Sequence, residues 1–184
     1  MRLSGDRFCV DADQVVLSDV VELAGCLQPP HAVGLVRGIE GAFAGKPVAA
    51  RNETSMMVLD CARLTSWDPA TLFDNVVPNK AALQPGQIHY KDFRQLAWLG
   101  QGQIQPIDTR WNHCNLVRKD TRLVHYSHVR EQPWKRPEHP LTGFWEAWLH
   151  KTLVAGYVTR LDVVKSVAGG RIHRHFLRHA IRAV

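Results

Sequence analysis

Two carboxylates lie close together near the start of this 184-residue chain, within Phe8-Cys9-Val10-Asp11-Ala12-Asp13-Gln14-Val15-Val16-Leu17. One apolar run leads into them and another leads away. On an extended chain, residues two apart project to the same side, so Asp11 and Asp13 are expected to aim together from the end of a buried strand. Adjacent carboxylates repel each other and hold water tightly, and burying them unpaired is costly. A divalent cation relieves both difficulties, and oxygen ligands of this kind suit Mn²⁺ or Mg²⁺. The same tripeptide also suits a plain strand-to-helix turn, where Asp is favoured as a cap.

The elements that must position these acids are legible in outline. Asp19 is placed to cap a short helix or turn reaching Ala24, with Val20, Val21 and Leu23 packing inward, and Pro29-Pro30 ends it. Val33 to Val36 reads as a short strand, and 38–47 as a glycine-rich loop. Thr54 to Cys61 is a continuous apolar run of strand length, the pattern of a strand covered on both faces. Asp68-Pro69 opens a helix, and Asn75 to Gly86 reads as a polar loop. Tyr90, Phe93, Leu96 and Ala97 recur at helical spacing, predicting one amphipathic helix over 90–99 that stops at Gly100-Gln-Gly102.

Further along, Trp111 suits either the core or a site, and Asn112 reads as a hydrogen-bonding site residue. His125 follows an apolar strand, where a hydrogen-bonded core histidine is common. An apolar helix over 143–156 is expected to cover the sheet. After the break at Gly169-Gly170, one helix is predicted from Arg171 to Val184, with Ile172, Phe176, Ala180 and Val184 on one face. Arg171, Arg174, Arg178 and Arg182 form a basic stripe beside them. Such a helix either docks on its own domain or lies on an anionic membrane surface. His173, His175 and His179 are not read as a site.

Composition bounds the remaining classes. Apolar content of 45% and charged content of 22% are those of an ordinary globular protein, and a net charge of +6 favours anionic partners without choosing among them. No apolar run approaches the ~20 residues of a membrane span. The four cysteines form no C-x-x-C pair, so reduced thiols and a cytoplasmic location are expected, with peripheral contact at the inner membrane face through the basic C-terminal helix. Basic and aromatic residues do not interleave outside the tail, so no nucleic-acid partner is expected.

The segment from Phe8 to Leu23 resembles the "YLDADxxVLxDxxEL" stretch of family 8 glycosyltransferases, which have the GT-A fold. The strand ending at Asp60 is similar to their "FNSGxMLLD", with Glu53-Thr54-Ser55 where Asn-Ser-Gly is usual. Ile104 to Asn112 is similar to "LPxxYN", and His125 to Lys135 resembles "HxxGxxKPW", one residue longer and with His128 in place of the Gly. The resemblance implies an α/β class: a partial GT-A domain, a mixed sheet flanked by helices, over 1–158, with a basic helical extension over 159–184. It implies Asp11, Asp13 and His125 as ligands of Mn²⁺ or Mg²⁺. Asp11, Ala12, Asp13, Thr54, Ser55, Asn112 and Lys135 are then implied around the diphosphate of a nucleotide-sugar donor, a UDP-sugar first. A glycan or lipid-linked acceptor and a retaining hexosyl transfer are implied as well, although the sequence offers no catalytic base.

The resemblance runs from about Phe8 to Trp148, roughly the second half of such a domain. The units that grip base and ribose are expected upstream of that stretch. The alternative is a remnant without turnover, binding a sugar or a partner. With central parallel strands missing, the chain alone is expected to be unstable or to aggregate.

Overall fold

The structure is a computed structural model that describes residues 6–38, 52–64, 67–78, 81 and 83–181. The loop expected over 38–47 lies outside them apart from Gly38. The chain divides into two compact units. One holds the described residues up to Cys114 together with Arg118–His125; the other holds Asn115–Val117 and the residues from Tyr126 onward.

The first unit is built on a four-stranded sheet of β1 (Asp6–Val10), β4 (Asn52–Asp60), β3 (Val33–Arg37) and β7 (Ile104–Ile107), in that order. β4 runs antiparallel to both β1 and β3, whereas β3 and β7 are parallel. The apolar run of β4 is explained by two-sided burial. Met56 and Val58 pack with Leu23, Leu27, Val36, Trp111 and Leu123, while Leu59 packs with Val33, Leu35, Leu96, Leu99 and Ile104 on the other side. Gly34 lets Leu27 and Ile107 pack close against β3: a Cβ there would stand 2.9 Å from Leu27 Cδ2 and 3.2 Å from Ile107 Cγ2, so those side chains would have to shift. At the outer strand, Val10 of β1 is 51% exposed.

The β3–β4 ladder is interrupted. Leu35 pairs with Met57 and Val36 with Glu53, so Thr54, Ser55 and Met56 have no partner in β3. Such a bulge bends the strand and re-aims its side chains. A second sheet, of order β2-β9-β8, joins β2 (Gln14–Val16), β9 (Leu123–His125) and β8 (His113–Cys114). β2 is antiparallel and β8 parallel to β9.

Several local expectations are corrected. Asp19 does cap a 3₁₀ turn over Val20–Leu23, accepting from Val21 N at 2.9 Å, but only Leu23 is buried; Val21 is 67% exposed. Asp68 caps α1 (Pro69–Asp74) as expected. The following polar stretch contains β5 (Val76–Val77), which pairs with β6 (Ile88–His89). The helix expected over 90–99 is only α2 (Tyr90–Arg94). Leu96 sits at φ +52°, and the Ala97 N–H closes back on the Asp92 carbonyl while the Leu96 N–H closes on Phe93. That is a Schellman ending, with a leucine in the left-handed seat usually filled by glycine. Burial of the Leu96 side chain against Leu35, Leu59 and Leu99 holds it there.

The second unit carries α3 (Thr142–Val154), α4 (Arg160–Ala168) and α5 (Arg178–Ile181). α4 starts from a reciprocal capping box between Thr159 and Asp162. The single basic helix expected from Arg171 is not formed among the described residues. His173 caps a 3₁₀ turn over Arg174–Leu177, accepting from His175 N, and α5 follows. Phe176 is fully buried, edge-on to Trp145 of α3 with ring centroids 4.9 Å apart. Among the described residues no helix is long and apolar enough to cross a membrane.

Glu146 of α3 gathers cations in this unit. Arg178 donates to its Oε1, and the Nε2 atoms of His179 and His175 lie 3.1 and 3.9 Å from the same oxygen. Burial pushes the Glu146 carboxyl up, but the hydrogen bonds and charges of His179 and Arg178 outweigh it and hold the group below the usual carboxylate range. A carboxyl depressed in the fold stabilises it above the unfolded-state pKa, and that contribution vanishes as pH falls through the depressed value. Thermal unfolding is therefore expected to lose temperature on acidification below about pH 4. Glu146→Gln should flatten that acid limb in a calorimetric pH series; an unchanged limb would discard the assignment.

Candidate metal centre

Asp11, Ala12 and Asp13 form the link from β1 in one sheet to β2 in the other. The pair is expected to aim from the end of a buried strand, but β1 is an outer strand with Val10 exposed, Asp11 just beyond it is exposed, and Ala12-Asp13 form a turn. Their convergence comes from pairing instead. The Asp11 N–H donates to the Ser55 carbonyl at 3.0 Å and to Gln14 Oε1 at 3.2 Å, which fixes the start of the turn. The β2–β9 register sets Gln14 opposite His125, so Asp13 arrives one residue ahead of that position. His125 Nε2 lies 3.5 Å from Asp13 Oδ1. One ligand atom from each of Asp11, Asp13 and His125 falls within 4.8 Å of the other two.

Asn112 is delivered by a second short element. Asp108 caps a 3₁₀ turn over Thr109–Asn112, accepting from Arg110 N at 2.9 Å. Trp111 in this turn is a core aromatic, packed with Met56 and Val58 and covered by the Arg122 guanidinium 5.7 Å from its ring centroid. Asn112 is fully buried. Its Oδ1 lies 3.1 Å from His125 Nδ1, and its Nδ2 donates to Ser55 Oγ at 3.2 Å. A neutral imidazole carries one N–H. With that hydrogen on Nδ1 and donated to Asn112, the Nε2 lone pair faces the two carboxylates.

Electrostatics at Asp11 register the neighbouring acid. Burial first, and the Asp13 charge after it, raise the Asp11 carboxyl above its usual value, against the opposing pull of His125 and Arg94. A cation between the acids removes the repulsion. The donor set of two carboxylate oxygens and one imidazole nitrogen fits a divalent ion.

The other residues singled out in the sequence are placed as follows. Ser55 and Asn112 lie against the acids and His125. Ala12 is exposed in the turn. The Thr54 hydroxyl donates to the Arg94 carbonyl at 3.0 Å, tying α2 to β4. Lys135 belongs to the second unit, where its ammonium donates to the Val129 carbonyl. Two neighbours were not foreseen: Arg94, whose charge reaches Asp11, and Gln14. Neither belongs to a recognisable motif, although Gln14 adjoins the acid pair. Also unforeseen is a cavity of about 360 Å³ walled by Trp67, Phe73, Phe93 and Trp98, with Thr54 and Arg94 among its other lining residues. These positions are scattered over 54–98 without a shared period.

No protein-family model matches the chain, and no curated protein matches it in sequence. Its fold is similar to that of the galactosyltransferase LgtC, crystallised in complex with donor and acceptor sugar analogs, at a TM-score of 0.53 and 14% identity. The match covers 77% of this chain and 59% of that one, so the chain spans about three-fifths of the neighbour's length. The architecture is accordingly mixed α/β, with mixed sheets flanked by helices, structurally similar to the GT-A glycosyltransferase LgtC.

Proposed function

We propose that this chain is the metal-binding part of a glycosyltransferase of the family 8 kind, using a nucleotide-sugar donor and Mn²⁺ or Mg²⁺. One observation carries the reading: Asp11, Asp13 and His125, separated by more than a hundred residues, bring their ligand atoms within 4.8 Å of one another on a GT-A-like fold. A bound divalent ion supplies Lewis-acid stabilisation of the departing diphosphate. Asp11 and Asp13 hold that ion by charge, and His125 completes the protein's share of the shell with its Nε2. Arg94 adds fixed positive charge beside Asp11, the kind of preorganised field that dominates such transfers. If the acceptor enters the aromatic cavity, whose walls include Thr54 and Arg94, its apolar lining favours a lipid-linked glycan over a free sugar.

Titration calorimetry on the full chain tests this. Mn²⁺ is expected to bind first, UDP to bind only in its presence, and EDTA to reverse both. UDP binding that ignores EDTA, or no uptake of Mn²⁺, would overturn the proposal. Incubation with UDP-hexoses then separates a working transferase from a binder that does not turn over.

A further inference from the structure

We infer that Asn112 and Ser55 are positioning residues that set the tautomer of His125, and are not contacts to the donor diphosphate. The inference deepens the metal-centre reading and rests on it for its purpose, though its geometry stands without an ion. Asn112 is 0% exposed, and both ends of its amide are engaged, Oδ1 toward His125 Nδ1 and Nδ2 on Ser55 Oγ. A diphosphate oxygen reaching Nδ2 would have to displace the half-buried Ser55 hydroxyl from a fully buried amide.

The choice of tautomer follows from the amide's orientation. Ser55 Oγ accepts from Nδ2, which turns Oδ1, an acceptor only, toward His125. An acceptor there demands Nδ1–H, which in the neutral ring leaves Nε2 unprotonated, the form a metal requires; Asp13 Oδ1, the competing acceptor at Nε2, is the more distant of the two at 3.5 Å. Among the described residues, the other group near Nδ1 is Cys114 Sγ at 3.9 Å, a much weaker acceptor. Ser55 does two things at once. Its hydroxyl orients Asn112 and thereby His125, while its carbonyl holds the Asp11 N–H. It does so from the bulged stretch of β4, where the side chain is released from the ladder's alternation. One residue therefore references two of the three ligands to the same point of the sheet.

The test reads the imidazole directly. In ¹⁵N-labelled protein above about pH 8, where imidazoles are neutral, His125 is expected to show a protonated Nδ1 and a bare Nε2. Asn112→Ala should move the population toward Nε2–H and weaken Mn²⁺ binding by about 10- to 100-fold, the range for lost outer-shell partners. Asn112→Asp keeps an acceptor for Nδ1–H and should restore the tautomer. Ser55→Ala leaves Oδ1 in place and should give a smaller shift in the same direction, which serves if Asn112→Ala does not fold. A native His125 protonated on Nε2, or a tautomer indifferent to both Asn112→Ala and Ser55→Ala, overturns the inference. So does loss of UDP binding in Asn112→Ala with Mn²⁺ affinity intact. If the protein takes up no Mn²⁺ while the ¹⁵N signature still follows Asn112, the relay is upheld and the metal reading alone fails.

Discussion

Asp13→Ala is expected to lower Mn²⁺ affinity by more than about 100-fold, beyond the range seen when only outer-shell partners are removed. Asp13 is half-buried in the turn, with Oδ1 facing His125 Nε2 at 3.5 Å. Removing it leaves one carboxylate and one imidazole, a set that holds a hard divalent ion poorly. Fold stability should change far less, because the Asp11 N–H and the β2–β9 ladder fix the turn through the backbone. Electron paramagnetic resonance of free Mn²⁺ reads the affinity directly. Asp68→Ala serves as the control: it removes an acid that caps α1, and Mn²⁺ affinity should not move. Equal affinities in wild type and Asp13→Ala would remove the basis for any metal-assisted transfer.

Phe176→Ala is expected to be the most damaging single change in the second unit, costing about 3–5 kcal/mol. The ring is 0% exposed and meets Trp145 edge-on, and Trp145 in turn lies 6.0 Å from Trp134. The same segment is anchored by the His173 N–H, which donates to the Trp134 carbonyl at 2.7 Å. Loss of the ring opens a void between α3 and the 3₁₀ turn that rigid aromatic neighbours cannot close. Against a total domain stability of about 5–15 kcal/mol, the unit should unfold well before wild type. Limited proteolysis should then cut between 126 and 181. Tyr157→Ala, at a residue 87% exposed, should cost less than about 0.5 kcal/mol. Similar protease resistance in the two variants would show that the aromatic cluster does not hold the unit together.

What the sequence revealed was whatever repeats or stays local. The apolar run of β4 announced a strand covered on both faces, and Asp68-Pro69 announced a helix start. The acid pair and His125 were found through their flanking motifs, since nothing local in His125 distinguishes a ligand from a core histidine. Features set by distant packing were not legible. Leu96 ends α2 in a conformation that leucine avoids, and only its burial explains that. The basic stripe beyond Gly170 suggested one helix, yet His173 caps a new turn so that Phe176 reaches the core. The Thr159–Asp162 capping box, by contrast, is local and carries a sequence signature of its own. Asn112 and Ser55 were expected around a diphosphate; the partners the structure gives them depend on a bulge that no pattern in Thr54-Ser55-Met56 discloses.

That bulge gives the fold an evolutionary degree of freedom. In an uninterrupted ladder, any insertion, deletion or change of facing at Ser55 would propagate along the strand and turn Met56 and Val58 out of their packing. Here three residues without partners in β3 absorb such a change, while Met57 and Leu59 keep their pairing with Leu35 and Val33. The facing of Ser55 is thereby set independently of the interior, so exchanges at Thr54 should be borne more readily than exchanges at 57–59.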